Sequence, residues 1–143
     1  MRSHAAEAPG FTLIELLVVI VILGLLAGIA GVTYFSRIEG ARVQKVEADF
    51  ATLATALSLY RLDAGTLPTT AQGLQALVEQ PVQQPRPARY KTGGYLDELP
   101  QDPWGNAYLY LQPARAPERE YDLYTLGADG KTGGEGQDAD LVH

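Results

Sequence analysis

The feature that most constrains this chain is a run of 21 residues without a charge, from Leu16 to Ser36. About 20 helical residues cross a bilayer core of roughly 30 Å, so a span of this length belongs in lipid or under a partner that replaces it. Three readings compete. The first is a secretory signal with Gly28-Ile29-Ala30 as its small-residue cleavage site. Such a signal begins with a basic region, whereas Arg2 is nearly cancelled by Glu7, and its apolar stretch is shorter than this one. The second is a plain membrane anchor. The third takes account of the residues just before the run, Gly10-Phe11-Thr12-Leu13-Ile14-Glu15. A carboxylate at the edge of a hydrocarbon span is costly and calls for a partner. Alternatively, Glu15 sits at headgroup level in a first helical turn, where the helix dipole favours an anion.

Past the uncharged run the apolar pattern narrows to a stripe. Phe35, Ile38, Val46, Phe50, Leu53, Leu57 and Tyr60 recur three or four residues apart, except for a gap that Ala41 and Arg42 occupy. This spacing predicts one helix from about Thr12 to Leu62, stopped by Gly65 and Pro68 and roughly 75 Å long at the usual rise. Thr70 is the expected N-cap of a short helix over Ala71–Glu79. Pro81, Pro85 and Pro87 then predict an exposed, stiff loop. Asp102-Pro103-Trp104-Gly105-Asn106 reads as a turn, and Ala107–Leu111 and Tyr121–Thr125 read as strands of an antiparallel hairpin on the helix. Trp104 and the tyrosines are expected as packing groups with a wet polar edge.

Composition excludes much chemistry. Cysteine is absent, which removes disulfides, thiolate metal sites and cysteine nucleophiles together. Serine is limited to Ser3, Ser36 and Ser58, and the histidines are only His4 and His143, so a Ser-His-Asp arrangement has no support. Asp97, Glu98 and Asp102 are the nearest thing to an acid–base cluster, but carboxylates among prolines read as a solvated loop. The chain reads as no enzyme. Eleven Lys+Arg against seventeen Asp+Glu give a net charge of −6, and no basic stretch is denser than Arg86, Arg89, Lys91, so no nucleic-acid partner is expected. The segment Leu126–Asp140 is rich in glycine and hard oxygen donors. Asp129, Asp138 and Asp140, with carbonyls such as that of Leu126, have the makings of a calcium loop, though not the EF-hand spacing. The competing reading is a solvated acidic tail.

Gly10-Phe11-Thr12-Leu13-Ile14-Glu15 and the apolar run after it resemble the processing site of type IV pilins and their relatives. Gln72–Leu77, Gly94-Tyr95-Leu96, Leu99–Gly105 and Leu126–Gly130 resemble one branch, the major pseudopilins of the type II secretion system. The resemblance implies an α+β, type IV pilin-like fold: a long N-terminal helix and a small globular head holding a short helix, a short antiparallel sheet and a C-terminal metal-binding loop. It implies three regions: a cleaved prepilin leader over 1–10, a transmembrane and fibre-spine half of the helix over 11–35, and a periplasmic head over 36–143. A prepilin peptidase would cut after Gly10, the new amine of Phe11 would be N-methylated, and Glu15 would meet the Phe11 amine of a neighbouring subunit. One calcium ion would be held by Leu126, Asp129, Asp138 and Asp140, with Gln137 as a fifth ligand. The expected function is that of the major structural subunit of a periplasmic helical fibre that drives export of folded proteins across the outer membrane. Its partners would be further copies, minor pseudopilins, an inner-membrane assembly platform and the prepilin peptidase. The expected location is the bacterial inner membrane, single-pass, with the head in the periplasm. The alternatives are a subunit of a surface type IV pilus and a membrane-tethered calcium-binding module.

Overall fold

The computed structural model describes residues 10–143, and of residues 29–37 only the helical backbone. Two compact units follow one another, the first ending at Glu39 and the second running from Gly40 to His143. Helix α1, Leu13–Ala64, begins in the first and ends in the second.

In the first unit α1 opens on a reciprocal cap. The Glu15 carboxylate accepts from the backbone N–H of Thr12 at 3.0 Å and from its hydroxyl at 2.9 Å, while Thr12 Oγ1 accepts from the Glu15 N–H at 3.3 Å. This is a capping box, Thr-x-x-Glu, which satisfies donors that a helix start otherwise leaves unpaired. The large apolar side chains from Leu13 to Leu26 are all exposed, between 47% and 88%. Among the described residues no helix is long and apolar enough to cross a membrane. The expected span extends through residues 29–36, whose side chains lie outside the description, as do residues 1–9 of the expected leader over 1–10.

In the second unit the apolar stripe of α1 becomes one wall of the core. Val46, Phe50, Leu53, Leu57 and Tyr60 are buried, at alternating steps of four and three residues that keep them on one face. Gly65 ends the helix at φ +80°, its N–H donating to the Arg61 carbonyl at 2.8 Å, the left-handed stop that glycine adopts without strain. The short helix expected over 71–79 is instead a 3-10 turn, Leu74–Leu77. Its N-cap is Gly73, with no side-chain bond, and the side-chain pair closes the turn before it. Thr69 and Gln72 bond reciprocally, Thr69 N to Gln72 Oε1 at 3.0 Å and Gln72 N to Thr69 Oγ1 at 3.2 Å, whereas the Thr70 hydroxyl is taken by the backbone of Gln112. Gln72 also donates to the carbonyls of Gln83 and Pro85, which pins the proline loop.

The hairpin forms as expected: β1, Leu109–Leu111, pairs antiparallel with β2, Asp122–Thr125. A third strand, β3, Leu141–Val142, adds antiparallel to the other edge of β2, giving the order β1-β2-β3. The tyrosines pack as expected, but three of their hydroxyls are bonded inside rather than wet. Tyr95 donates to Asp63 at 3.0 Å, Tyr108 to Asp49 at 2.6 Å and Tyr110 to the Pro68 carbonyl at 2.8 Å. Asp102 is a further correction: it is buried, not solvated. Its carboxylate caps the turn by accepting from the N–H groups of Trp104 (3.0 Å) and Asn106 (2.7 Å), and from the buried Thr125 hydroxyl on β2.

Candidate functional site

Two places carry the residues singled out from the sequence. The first is the start of α1. Gly10 and Phe11 precede the helix and are exposed. Phe11, Ile14, Glu15, Val18 and Val19 line one shallow apolar concavity, the spacing of a single helix face. The Glu15 carboxylate therefore lies on an apolar face with its own Thr12 as its partner in the single subunit. Thr12 was readable as the first member of the Thr-x-x-Glu pattern.

The second place is the C-terminal loop, from Leu126 at the end of β2 to Asp140 before β3. It closes on itself through main chain. Ala128 N donates to the Gln137 carbonyl at 2.9 Å, and Asn106 Nδ2 on the neighbouring turn donates to the Gly127 carbonyl at 3.0 Å. Gly134, at φ +93°, lies so near Asp138 that a Cβ would stand 2.4 Å from the Asp138 carbonyl oxygen. A side chain at that position would hold the loop open.

The expected ligands are placed unequally. Asp129 is exposed and folds back on its own turn, accepting from the Lys131 N–H at 2.9 Å. Asp138 is exposed, in the 3-10 turn Gly136–Asp138. Asp140 is half-buried: one carboxylate oxygen accepts from Gly133 N at 3.0 Å, and the other, Oδ1, is buried without a hydrogen-bond partner. The Gln137 side-chain oxygen accepts from the guanidinium of Arg42. Among the described residues no group of three or more His, Cys, Asp or Glu side chains is gathered to hold a metal ion. What fits a hard cation is one acceptor, the buried and unpartnered Oδ1 of Asp140, in a loop whose sequence also supplies the oxygen donors of Asp129 and Asp138.

Arg42, which donates to Gln137 and stacks over the Trp104 ring with 6.0 Å from its guanidinium carbon to the ring centroid, was missed in the sequence. Its one signal was its place in the gap of the apolar stripe.

A model of the family described as "Type II secretion system (T2SS), protein G" matches residues 33–143, and one described as "Prokaryotic N-terminal methylation motif" matches residues 9–31. The type II secretion system core protein G of Pseudomonas aeruginosa is 48% identical over 135 residues, which cover 94% of each chain. That of Vibrio cholerae is also 48% identical over 135 residues, covering 94% of this chain and 90% of the relative. Among solved structures, the crystal structure of the major pseudopilin from the type 2 secretion system of enterohaemorrhagic Escherichia coli superposes with a TM-score of 0.68 at 39% identity. It covers 76% of this chain and 91% of that one. The helix with its capped start, the small antiparallel sheet and these likenesses together place the chain in the type II secretion system protein G family, the major pseudopilins.

Proposed function

We propose that this chain is the major structural subunit of the type II secretion pseudopilus, cut after Gly10, N-methylated on Phe11, and drawn from the inner membrane into a periplasmic fibre. Membership of the family and the methylation motif support a pseudopilus subunit anchored in a membrane and facing the periplasm. The observation that carries the reading further is the apolar surface of α1, exposed from Leu13 to Leu26, with Glu15 as the one charge between Phe11 and Ser36. So much apolar area on a helix is stable only in lipid or against other copies of itself. Heterologous contacts between identical subunits generate open helical filaments.

In the single subunit, the Thr12 donors hold the Glu15 carboxylate. In the fibre, the free amine of Phe11 in a neighbouring copy would join them, and a cation and an anion in an apolar core satisfy each other where either alone would be stranded. The head's role is mechanical rather than catalytic: it carries the outer surface of the fibre that pushes folded proteins through an outer-membrane pore. Its partners in this role are other copies, minor pseudopilins, the assembly platform and the prepilin peptidase.

The C-terminal loop holds one calcium ion in this reading, through the carboxylates of Asp129, Asp138 and Asp140 and the carbonyl of Leu126. The unpartnered Asp140 oxygen supports it. When bound, the ion supplies only charge neutralisation and loop order; the fold gains its binding free energy. The test of the assembly role is Glu15→Ala. In cells bearing the secretion apparatus, the variant subunit should reach the membrane in normal amount but form few or no fibres by electron microscopy. Normal fibres and secretion would remove Glu15 from the mechanism.

A further inference from the structure

We propose that Arg42 and Gln137 form a clasp that fixes the C-terminal loop to α1, and that the Gln137 side chain serves this clasp rather than a metal ion. Arg42 leaves α1 in the one break of its apolar stripe, half-buried, with its guanidinium over the face of Trp104 and a donor on Gln137 Oε1. Trp104 belongs to the turn that buried Asp102 caps, and Asn106 of that same turn holds the Gly127 carbonyl. The two ends of the loop are thus held on one wall, Gly127 by Asn106 and Gln137 by Arg42, and the Ala128–Gln137 bond closes the gap between them.

The chemistry separates Gln137 from the aspartates. Guanidinium stays charged at any working pH and has donors but no acceptor, so an amide oxygen turned toward it is already committed to a cation. A second cation at that oxygen would be repelled by the first. The Asp140 oxygen has no such partner. Stacking on an aromatic face adds to the hold of Arg42 and fixes the direction of its fork. The assignment of Gln137 away from the metal rests on the calcium reading of the loop; the clasp itself does not.

The experiment uses the full chain in detergent micelles, first with chelator and then with calcium ion, and reads amide hydrogen exchange across residues 126–140 against that of β2. In chelator, Arg42→Ala and Gln137→Ala should each speed exchange at Ala128 by about fivefold, the scale of one exposed charged contact. The double variant should be no faster than either alone, and β2 should be unchanged. Gln137→Glu should slow loop exchange when Arg42 is present and not in Arg42→Ala. Additive effects, or no effect of Arg42→Ala, would overturn the clasp. With calcium, both alanine variants should weaken the ion's protection of the loop to the same small degree. Loss of that protection in Gln137→Ala alone would make Gln137 a ligand and overturn its assignment to Arg42. A wild-type chain that does not respond to calcium would refute the calcium reading, and the chelator arm would still decide the clasp.

Discussion

Replacing Asp102 by alanine should destabilise the head by about 4 kcal/mol, on the scale of one stranded buried donor and two stranded amides. The residue is 4% exposed, and its two oxygens serve three donors. The Thr125 hydroxyl is fully buried, so with no acceptor it bears its whole desolvation cost, about 1–3 kcal/mol. The amides of half-buried Trp104 and exposed Asn106 recover some water, leaving about 1 kcal/mol each. Asp102→Asn keeps the shape. Its oxygen still caps both amides, and the Thr125 hydroxyl can turn to accept from the new NH2 group. Only the charge assistance is lost, about 1 kcal/mol. The two variants should therefore differ by about 3 kcal/mol, roughly a hundredfold in the folding equilibrium. Equilibrium urea unfolding of the full chain in micelles, followed by the fluorescence of Trp104, the sole tryptophan, measures both. Asp102→Ala within about 1 kcal/mol of wild type, or Asp102→Asn as damaging as alanine, would refute the capping argument.

Further outcomes follow from the loop and the tyrosines. Gly134→Ala should open the C-terminal loop, because its Cβ meets the Asp138 carbonyl at φ +93°, whereas Gly130→Ala, at φ +64° with open space around it, carries only backbone strain. Trypsin should cut after Lys131 about tenfold faster in Gly130→Ala, the scale of left-handed backbone strain, and clearly faster still in Gly134→Ala; equal rates would refute the close approach. Burial, and then the hydrogen bond to Asp63, pushes the Tyr95 phenol up to about 12. Tyr108 is pushed up by burial and its bond to Asp49, and Tyr110 chiefly by burial. Unfolded phenols ionise near pH 10, so above that the unfolded chain binds fewer protons and stability falls as pH rises. Their contribution is whole below about pH 10 and is lost above it, by about pH 12 for Tyr95 and at higher pH for Tyr108 and Tyr110, each phenol accounting for up to about 1.4 kcal/mol per pH unit. Tyrosinate absorbance should show Tyr95, Tyr108 and Tyr110 ionising only with loss of helix signal. Complete titration of all eight tyrosines in folded protein would contradict the buried hydrogen bonds.

What could be read in advance was whatever depends on neighbours along the chain. The stripe from Val46 to Tyr60 and the stop at Gly65 located α1, and alternation located β1 and β2. The loop's oxygen-rich character and the position of Glu15 before the apolar run were equally plain. What could not be read depends on residues far apart. Thr70 looked like a cap but is consumed by Gln112, 42 residues on, which leaves Thr69 to close the turn. Asp102 looked solvated because its partner Thr125 lies on another element. Two residues are too few for alternation to reveal β3. Arg42 stands 95 residues from Gln137, and no local pattern announces such a pair.

In the proposed function Phe11 begins the mature chain and α1 from there serves as a fibre spine. The most direct measurement is the mass of the N-terminal peptide of the protein made together with a prepilin peptidase. The expected peptide begins at Phe11 and carries one added methyl group. A peptide beginning at Gly31, or an uncut chain still carrying residues 1–10, would contradict it.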